Sequence, residues 1–307
     1  MRTSSSSARP FGVALAILVA LALSACSTSR QVKVKTGEVS IQTVSMMKRL
    51  DMPRTAPILV RVFKEEAVLE VWKQEANGRY GLLRSYEICR FSGKLGPKIR
   101  RGDKQAPEGF YEVGKRGLNP WSRNHLAFNI GFPNAYDASL GRTGDSIMVH
   151  GGCKSVGCYA MTHRRVNEIY ALVREALQSG QEFVPFQAFP FRMTEANMAR
   201  HADNPNMPFW ETLKPGYDAL ETTRVPLRVA ACPGRYRYAL GPKALRASDE
   251  EICQSQNRVA SYDGGQGRAG AYAQPALAPT RQSAAYDAGS SEEVVDTNPD
   301  EVGAPEE

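Results

Sequence analysis

The stretch His150-Gly151-Gly152-Cys153-Lys154-Ser155-Val156-Gly157-Cys158-Tyr159-Ala160-Met161 decides how this chain is read. It sets a histidine eight residues ahead of a cysteine, which sits behind a small, flexible Ser155-Val156-Gly157 approach. Just upstream, apolar Ile147-Met148-Val149 predicts a buried strand that delivers His150 to its end. Just downstream, Val166, Ile169, Tyr170, Val173 and Leu177 mark one face of a helix over about 163–179. Cys158 is therefore expected between a strand end and a helix start.

A cysteine attacks as its thiolate, and a free pKa of about 8.5 leaves only a small ionised fraction at neutral pH. His150 is placed to take the thiol proton and return it later, and the N-terminus of the following helix adds partial positive charge. The Gly151 carbonyl is the nearest acceptor to orient the imidazole. Gly157 lets the backbone pass close to a substrate, so the amides of Gly157 and Cys158 are the expected oxyanion donors. Ser155 is read as a hydrogen-bonding support of this loop. The chemistry that fits is acyl transfer by a Cys158 nucleophile, with no cofactor. A zinc reading uses His150, Cys153, Cys158 and His163, but the spacing lacks a Cys-x-x-Cys knuckle, and no metal site is expected.

Working outward, residues 58–63, 67–72, 80–88, 110–113, 126–130 and 147–150 are short, rich in aliphatic and aromatic residues, and separated by turn signals such as Asn77-Gly78 and Gly102-Asp103. They predict a mostly β (α+β) domain with a curved antiparallel or mixed sheet, including a hairpin around Asn77-Gly78. Beyond the helix, the apolar run 183–191 is interrupted by Pro185 and Pro190. A helix over 194–201 and the segment 209–213 are expected as a small appendage before 225–231 returns as a strand.

The N-terminus reads as an export signal over 1–25: Arg2 and Arg9 precede an apolar run over 11–23 that is too short to span a membrane, which takes about 20 residues. Leu23-Ser24-Ala25-Cys26 resembles a bacterial lipobox, which implies a lipid on Cys26; an ordinary secretory signal cleaved near Ala25 is the alternative. Ser27 after the cysteine, by resemblance to lipoprotein sorting, favours the outer membrane. Residues 26–57 then form a lipid-proximal polar tether with one short helix around 44–50. A catalytic domain over 58–191, an extension over 192–253 packed on it, and a disordered, acidic-ended tail over 254–307 complete the chain.

Export makes disulfides admissible. With Cys26 assigned to lipid and Cys158 to chemistry, four cysteines remain, and proximity favours Cys232 with Cys253, leaving Cys89 with Cys153. A buried free thiol at Cys89 is an equal alternative. The net charge of +7 forms no basic tract, and stacking motifs are absent, so a nucleic-acid partner is excluded.

The motif also resembles the YkuD-type L,D-transpeptidase catalytic domain. His150-Gly151 matches that family's upstream His-Gly, and Ser155, Gly157 and Cys158 match three of four positions in its Ser-His-Gly-Cys. Val156 stands for the second histidine, and Tyr159-Ala160 for the aliphatic-Arg pair. Those departures look like the YafK-like subgroup, as do residues 91–98, 102–103, 106–111 and 128–136. The resemblance covers roughly 58–191. It implies a periplasmic enzyme, lipid-anchored in the cell envelope, that acts on peptidoglycan stem peptides containing meso-diaminopimelate. The acyl group would pass to a second stem peptide, to a lipoprotein amine, or to water; the last would cut a peptidoglycan-linked lipoprotein free. An idle peptidoglycan-binding lipoprotein with a structural Cys158 is the non-enzymatic alternative.

Overall fold

The computed structural model describes residues 36–239 and 247–254. The segment expected as a signal, the expected lipidation position Cys26, and the tail from 255 onward lie outside the described residues. Along the chain come α1 (Ile41–Arg49), β1 (Ile58–Phe63), β2 (Val68–Gln74), β3 (Tyr80–Glu87), β4 (Arg90–Phe91), β5 (Gly109–Gly114), β6 (Leu118–Asn119) and β7 (Ala127–Asn129). Then follow α2 (Ala135–Ser139), β8 (Met148–Gly151), β9 (Tyr159–Met161), α3 (His163–Gln178), β10 (Phe183–Phe189), α4 (Glu195–Arg200) and α5 (Met207–Thr223). A hairpin of β11 (Arg228–Cys232) and β12 (Arg235–Ala239), with α6 (Asp249–Gln254), closes the described chain.

Two five-stranded sheets form the body, ordered β3-β2-β1-β10-β5 and β4-β9-β8-β7-β6. Between them lies the main core, where Val60, Val62, Leu69, Val71, Val113 and Phe186 of the first sheet share one cluster with Phe128, Val149 and Tyr159 of the second. Helix α3 joins that cluster through Val166, Ile169, Tyr170, Val173 and Leu177, the residues whose spacing predicts the helix. Thr162 starts it by accepting the Arg165 amide at 3.2 Å. The architecture is the α+β sandwich that the strand spacing implies, with more helix than the sequence shows.

β1 is buried along its whole length, because both of its faces are covered. Its second face carries Leu59, Arg61 and Phe63, and α5 packs there with Trp210, Leu213, Tyr217 and Leu220. Arg61 is fully buried in that apolar run and is held by Glu221 Oε1 at 2.6 Å and the Tyr217 carbonyl. Helix α5 is far longer than the predicted 209–213 segment. Pro215 reads as a breaker in sequence, yet the 210, 213, 217, 220 stripe keeps the helix seated across it. Pro185 likewise fails to break β10. Pairing of β10 with β1 starts only at Phe186, so Pro185 has a strand neighbour on the β5 side alone.

Residues 36–57, expected as a tether, are packed onto the domain instead. Met47 and Met52 enter the main core, and the Ser40 hydroxyl donates to Glu168 Oε1 at 2.6 Å while Tyr86 donates to Oε2 of the same carboxylate at 3.0 Å. The polar look of this segment hides two methionines whose burial is what fixes it.

Candidate active site

Strand register builds the site. In the parallel β8–β9 pair, Val149 lies opposite Tyr159 and His150 opposite Ala160; β7 flanks β8 with Ala127 opposite His150. Side chains alternate faces along a strand. Phe128, Val149 and Tyr159 thus point into the core, and His150 and Ala160 share the outer face. Carrying the register one residue back from Tyr159 sets Cys158 beside Met148 on that outer face. The Met148 amide approaches Sγ at 3.5 Å, and the thiol faces the Ser146 carbonyl at 3.9 Å. Two residues along a strand and one strand across separate the His150 and Cys158 Cα atoms by roughly 8 Å, taking a ~3.3 Å rise and ~4.8 Å spacing. His150 and Cys158 thus stand as diagonal neighbours on one face of adjacent strands.

His150 is 5% exposed, and its Nδ1 lies 2.8 Å from the Gly151 carbonyl. With the Nδ1 proton donated there, Nε2 is the basic nitrogen. Ser155 closes the loop: its Oγ accepts the Cys158 amide at 3.0 Å, donates to the Cys158 carbonyl at 2.7 Å, and receives the Ser92 hydroxyl at 2.8 Å. The two-amide oxyanion site read from the sequence is corrected by this geometry, since Ser155 already uses the Cys158 N–H. The Gly157 N–H makes no hydrogen bond among the described residues, and its φ of 112° is one that only glycine holds without strain.

Two disulfides are present. Cys89 joins Cys153 with Cα atoms 5.3 Å apart, tying the site loop to the turn after β3. Cys232 joins Cys253 at 5.6 Å and fastens α6 to β11. Among the described residues Cys158 is the free cysteine. The Cys89 bond removes Cys153 from the four-residue zinc set of His150, Cys153, Cys158 and His163.

The helix does not begin at the cysteine. Strand β9 intervenes, so the α3 N-terminus lies four residues on, about 13 Å at a strand's rise. A helix-end field fades within a turn and does not serve the sulfur. Burial pushes the Cys158 thiol up from its ordinary value; the Met148 amide and the Lys98 charge pull it back only in part. At rest the sulfur is a neutral thiol that needs a base. Lys98 was not legible as a site residue, since a single lysine in a Gly-Pro turn carries no periodic signal.

The charged, aromatic and histidine side chains elsewhere in the domain are otherwise engaged or open to solvent. Arg142 is buried against Asp137 at 2.7 Å, and Arg165 pairs with Glu87 at 2.8 Å; Lys154 and Arg164 are exposed. Asn134 caps α2, and Tyr136 stacks on Tyr236 with ring centroids 4.5 Å apart, so both serve the fold. His125 stacks on His163, and His201 stacks on Phe191 and meets Glu65. Trp72 and Trp210 are buried, whereas Trp121 is 58% exposed, as is Val156 beside Gly157 at 75%. A cavity of about 660 Å³ opens elsewhere, between β10 and the β11 strand; its Arg228 is already neutralised by Glu112 and Asp249.

The site thus joins a cysteine at a strand end to a buried histidine fixed by its neighbour's carbonyl, on a pair of packed sheets. The chain belongs to the L,D-transpeptidase catalytic domain family, YkuD, whose family model matches residues 59–185. It is 50% identical over 181 residues to the Escherichia coli K12 protein named "Putative L,D-transpeptidase YafK", covering 59% of this chain and 73% of that one. The counterpart in E. coli O157:H7 matches equally. Among solved structures it is similar to the helical cell shape determining protein Pgp2 from Campylobacter jejuni, with TM-score 0.37, 20% identity, and coverage of 60% of this chain and 66% of that one. Bdellovibrio bacteriovorus Bd1075 matches at TM-score 0.32 and 17% identity, covering 53% and 65% respectively.

Proposed function

We propose that the protein is a peptidoglycan L,D-transpeptidase working through a Cys158 thioester. What carries this reading is the shared outer face of β8 and β9, where Cys158 stands diagonally across from a His150 whose Nδ1 is committed to Gly151. His150 Nε2 takes the thiol proton, and the sulfur attacks the carbonyl at the L-centre of a meso-diaminopimelate residue in a stem peptide. The C–N bond to the terminal D-amino acid breaks as His150 returns the proton to the departing amine. Gly157 N–H supports the oxyanion, and Ser155 holds the loop. An amine then attacks the thioester, giving a crosslink or a lipoprotein attachment, and the thiol is restored. Water in the amine's place hydrolyses the thioester to a stem-peptide carboxylate; where the amine expelled by Cys158 is that of a wall-bound lipoprotein, the same two steps set the lipoprotein free.

The catalytic domain in this reading is 58–191, with 192–253 as its packed extension. The site works in the cell envelope, on the periplasmic side, with a lipid on Cys26 holding the protein to the outer membrane. The test is to incubate wild type, Cys158→Ala and His150→Ala with muropeptides and lipoprotein-linked peptidoglycan, and to identify products and any acyl-enzyme by mass. Both variants should fold and lose turnover. Turnover retained by folded Cys158→Ala rejects the mechanism; new crosslinks or freed lipoprotein tell transfer from hydrolysis.

A further inference from the structure

Ala160, fully buried beside His150 in register, brings no charge to the site. A cation nonetheless stands behind the sulfur. Lys98 is 4% exposed, and its ammonium donates to the Arg100 carbonyl at 3.0 Å and to Asp103. Its stem lies against Gly144, where an added Cβ would meet Lys98 Cε at 2.9 Å and lie 3.8 Å from Nζ. Gly144 has a φ of 138°, so neither space nor backbone admits a side chain there. Two residues on, the same segment offers the Ser146 carbonyl and then the Met148 amide to Cys158 Sγ. The Phe132 ring, 6.0 Å from Nζ, closes the other side.

We propose that Lys98 is the positioning cation of the Cys158 site, a charge buried behind the Gly144–Met148 wall that stabilises the sulfur anion without touching substrate. This rests on Cys158 being the nucleophile. A fixed, desolvated ammonium acts over several ångströms at low effective dielectric, and it favours the thiolate against burial, the larger and opposing influence. Lysine is held here by two acceptors, so its third proton direction stays available to the wall. The charged and titratable groups around the sulfur are few. Lys98 and its partner Asp103 come from the segment before β5, His150 comes from β8, and Asp145 on the wall itself is exposed and paired with Arg101. Tyr159 lies next in the chain on β9, with its hydroxyl given to the Pro107 carbonyl at 2.5 Å. Asp103 neutralises part of the Lys98 charge, so the two residues have opposite effects on the sulfur.

The test reads the sulfur directly. Full-length wild type, Lys98→Met, Lys98→Arg and Asp103→Asn are alkylated with iodoacetamide across pH, and the Cys158 peptide is quantified by mass. The midpoint should rise by about half a pH unit or more in Lys98→Met, return towards wild type in Lys98→Arg, and fall in Asp103→Asn. Unchanged midpoints in folded Lys98→Met overturn the proposal. Should that variant fail to fold, an unchanged or raised midpoint in Asp103→Asn overturns it instead. Alkylation needs no turnover, so a failed peptidoglycan assay with intact midpoint shifts indicts the proposed reaction and leaves the Lys98 assignment standing.

Discussion

The Trp210 indole N–H is hydrogen-bonded to Glu108 Oε2 at 2.7 Å, which wires helix α5 to the segment that leads into β5. The other oxygen of Glu108 receives Lys64 at 2.9 Å and the Gly96 amide at 2.7 Å. Lys64 and Glu108 are fully buried, so breaking the pair strands a charge. Glu108→Ala should cost about 3–5 kcal/mol, read as a lowered midpoint in urea unfolding. Lys64→Met with Glu108→Leu together should recover much of the loss.

Ser155→Ala should separate loop order from fold. It leaves the Cys158 amide and the Ser92 hydroxyl without their shared partner. Turnover on muropeptides should fall roughly 10- to 100-fold through misplacement of the sulfur, with a loss of about 1–2 kcal/mol in stability. Steady-state rates beside a thermal melt check it; full activity would show that the loop holds Cys158 without this hydroxyl.

The Cys89–Cys153 bond closes a separation of 64 residues. By chain entropy its removal in a Cys89→Ser, Cys153→Ser variant should cost about 4 kcal/mol. The Cys158 peptide should then exchange deuterium faster than in wild type, because the site loop loses its tie to the turn after β3.

Acid should release α1 before the rest. Burial alone would raise the Glu168 carboxyl, but hydrogen bonds from Ser40, Thr43 and Tyr86 outweigh it and hold the group below its ordinary value. A depressed carboxylate stabilises the fold above the unfolded value of about 4.3, and that contribution is lost as pH falls through the folded value. Hydrogen exchange over residues 36–50 should therefore rise in that acid window. Glu168→Gln should show raised exchange already at neutral pH and little added change in acid.

Much of this was legible from the chain. Strand β1 announces itself as a short, nearly continuous apolar run and helix α3 by the spacing of one apolar face, and His150 with Cys158 carries its own chemical signature. The three-residue strand β9 was not, since Tyr159-Ala160-Met161 is too short to show alternation. The identity of the partners also escaped sequence logic. Ser155 consumes the Cys158 amide and Lys98 acts on the sulfur from sixty positions upstream, and both depend on how distant turns fold together. The helix expected around 44–50 is present as α1, but its docking on the domain is not legible, because the buried Met47 and Met52 form no periodic face in a polar stretch.

The double-sided burial of β1 limits how this chemistry can be moved between proteins. Its inward face serves the sandwich, but Phe63 on the other face, with Phe110 and Phe189, is covered by residues beyond 191. A graft cut at 191 would carry His150 and Cys158 intact and yet present a bare aromatic sheet to water. Recombination that keeps the active cysteine must inherit α5 with it, so the heritable module is larger than the motif that defines the family.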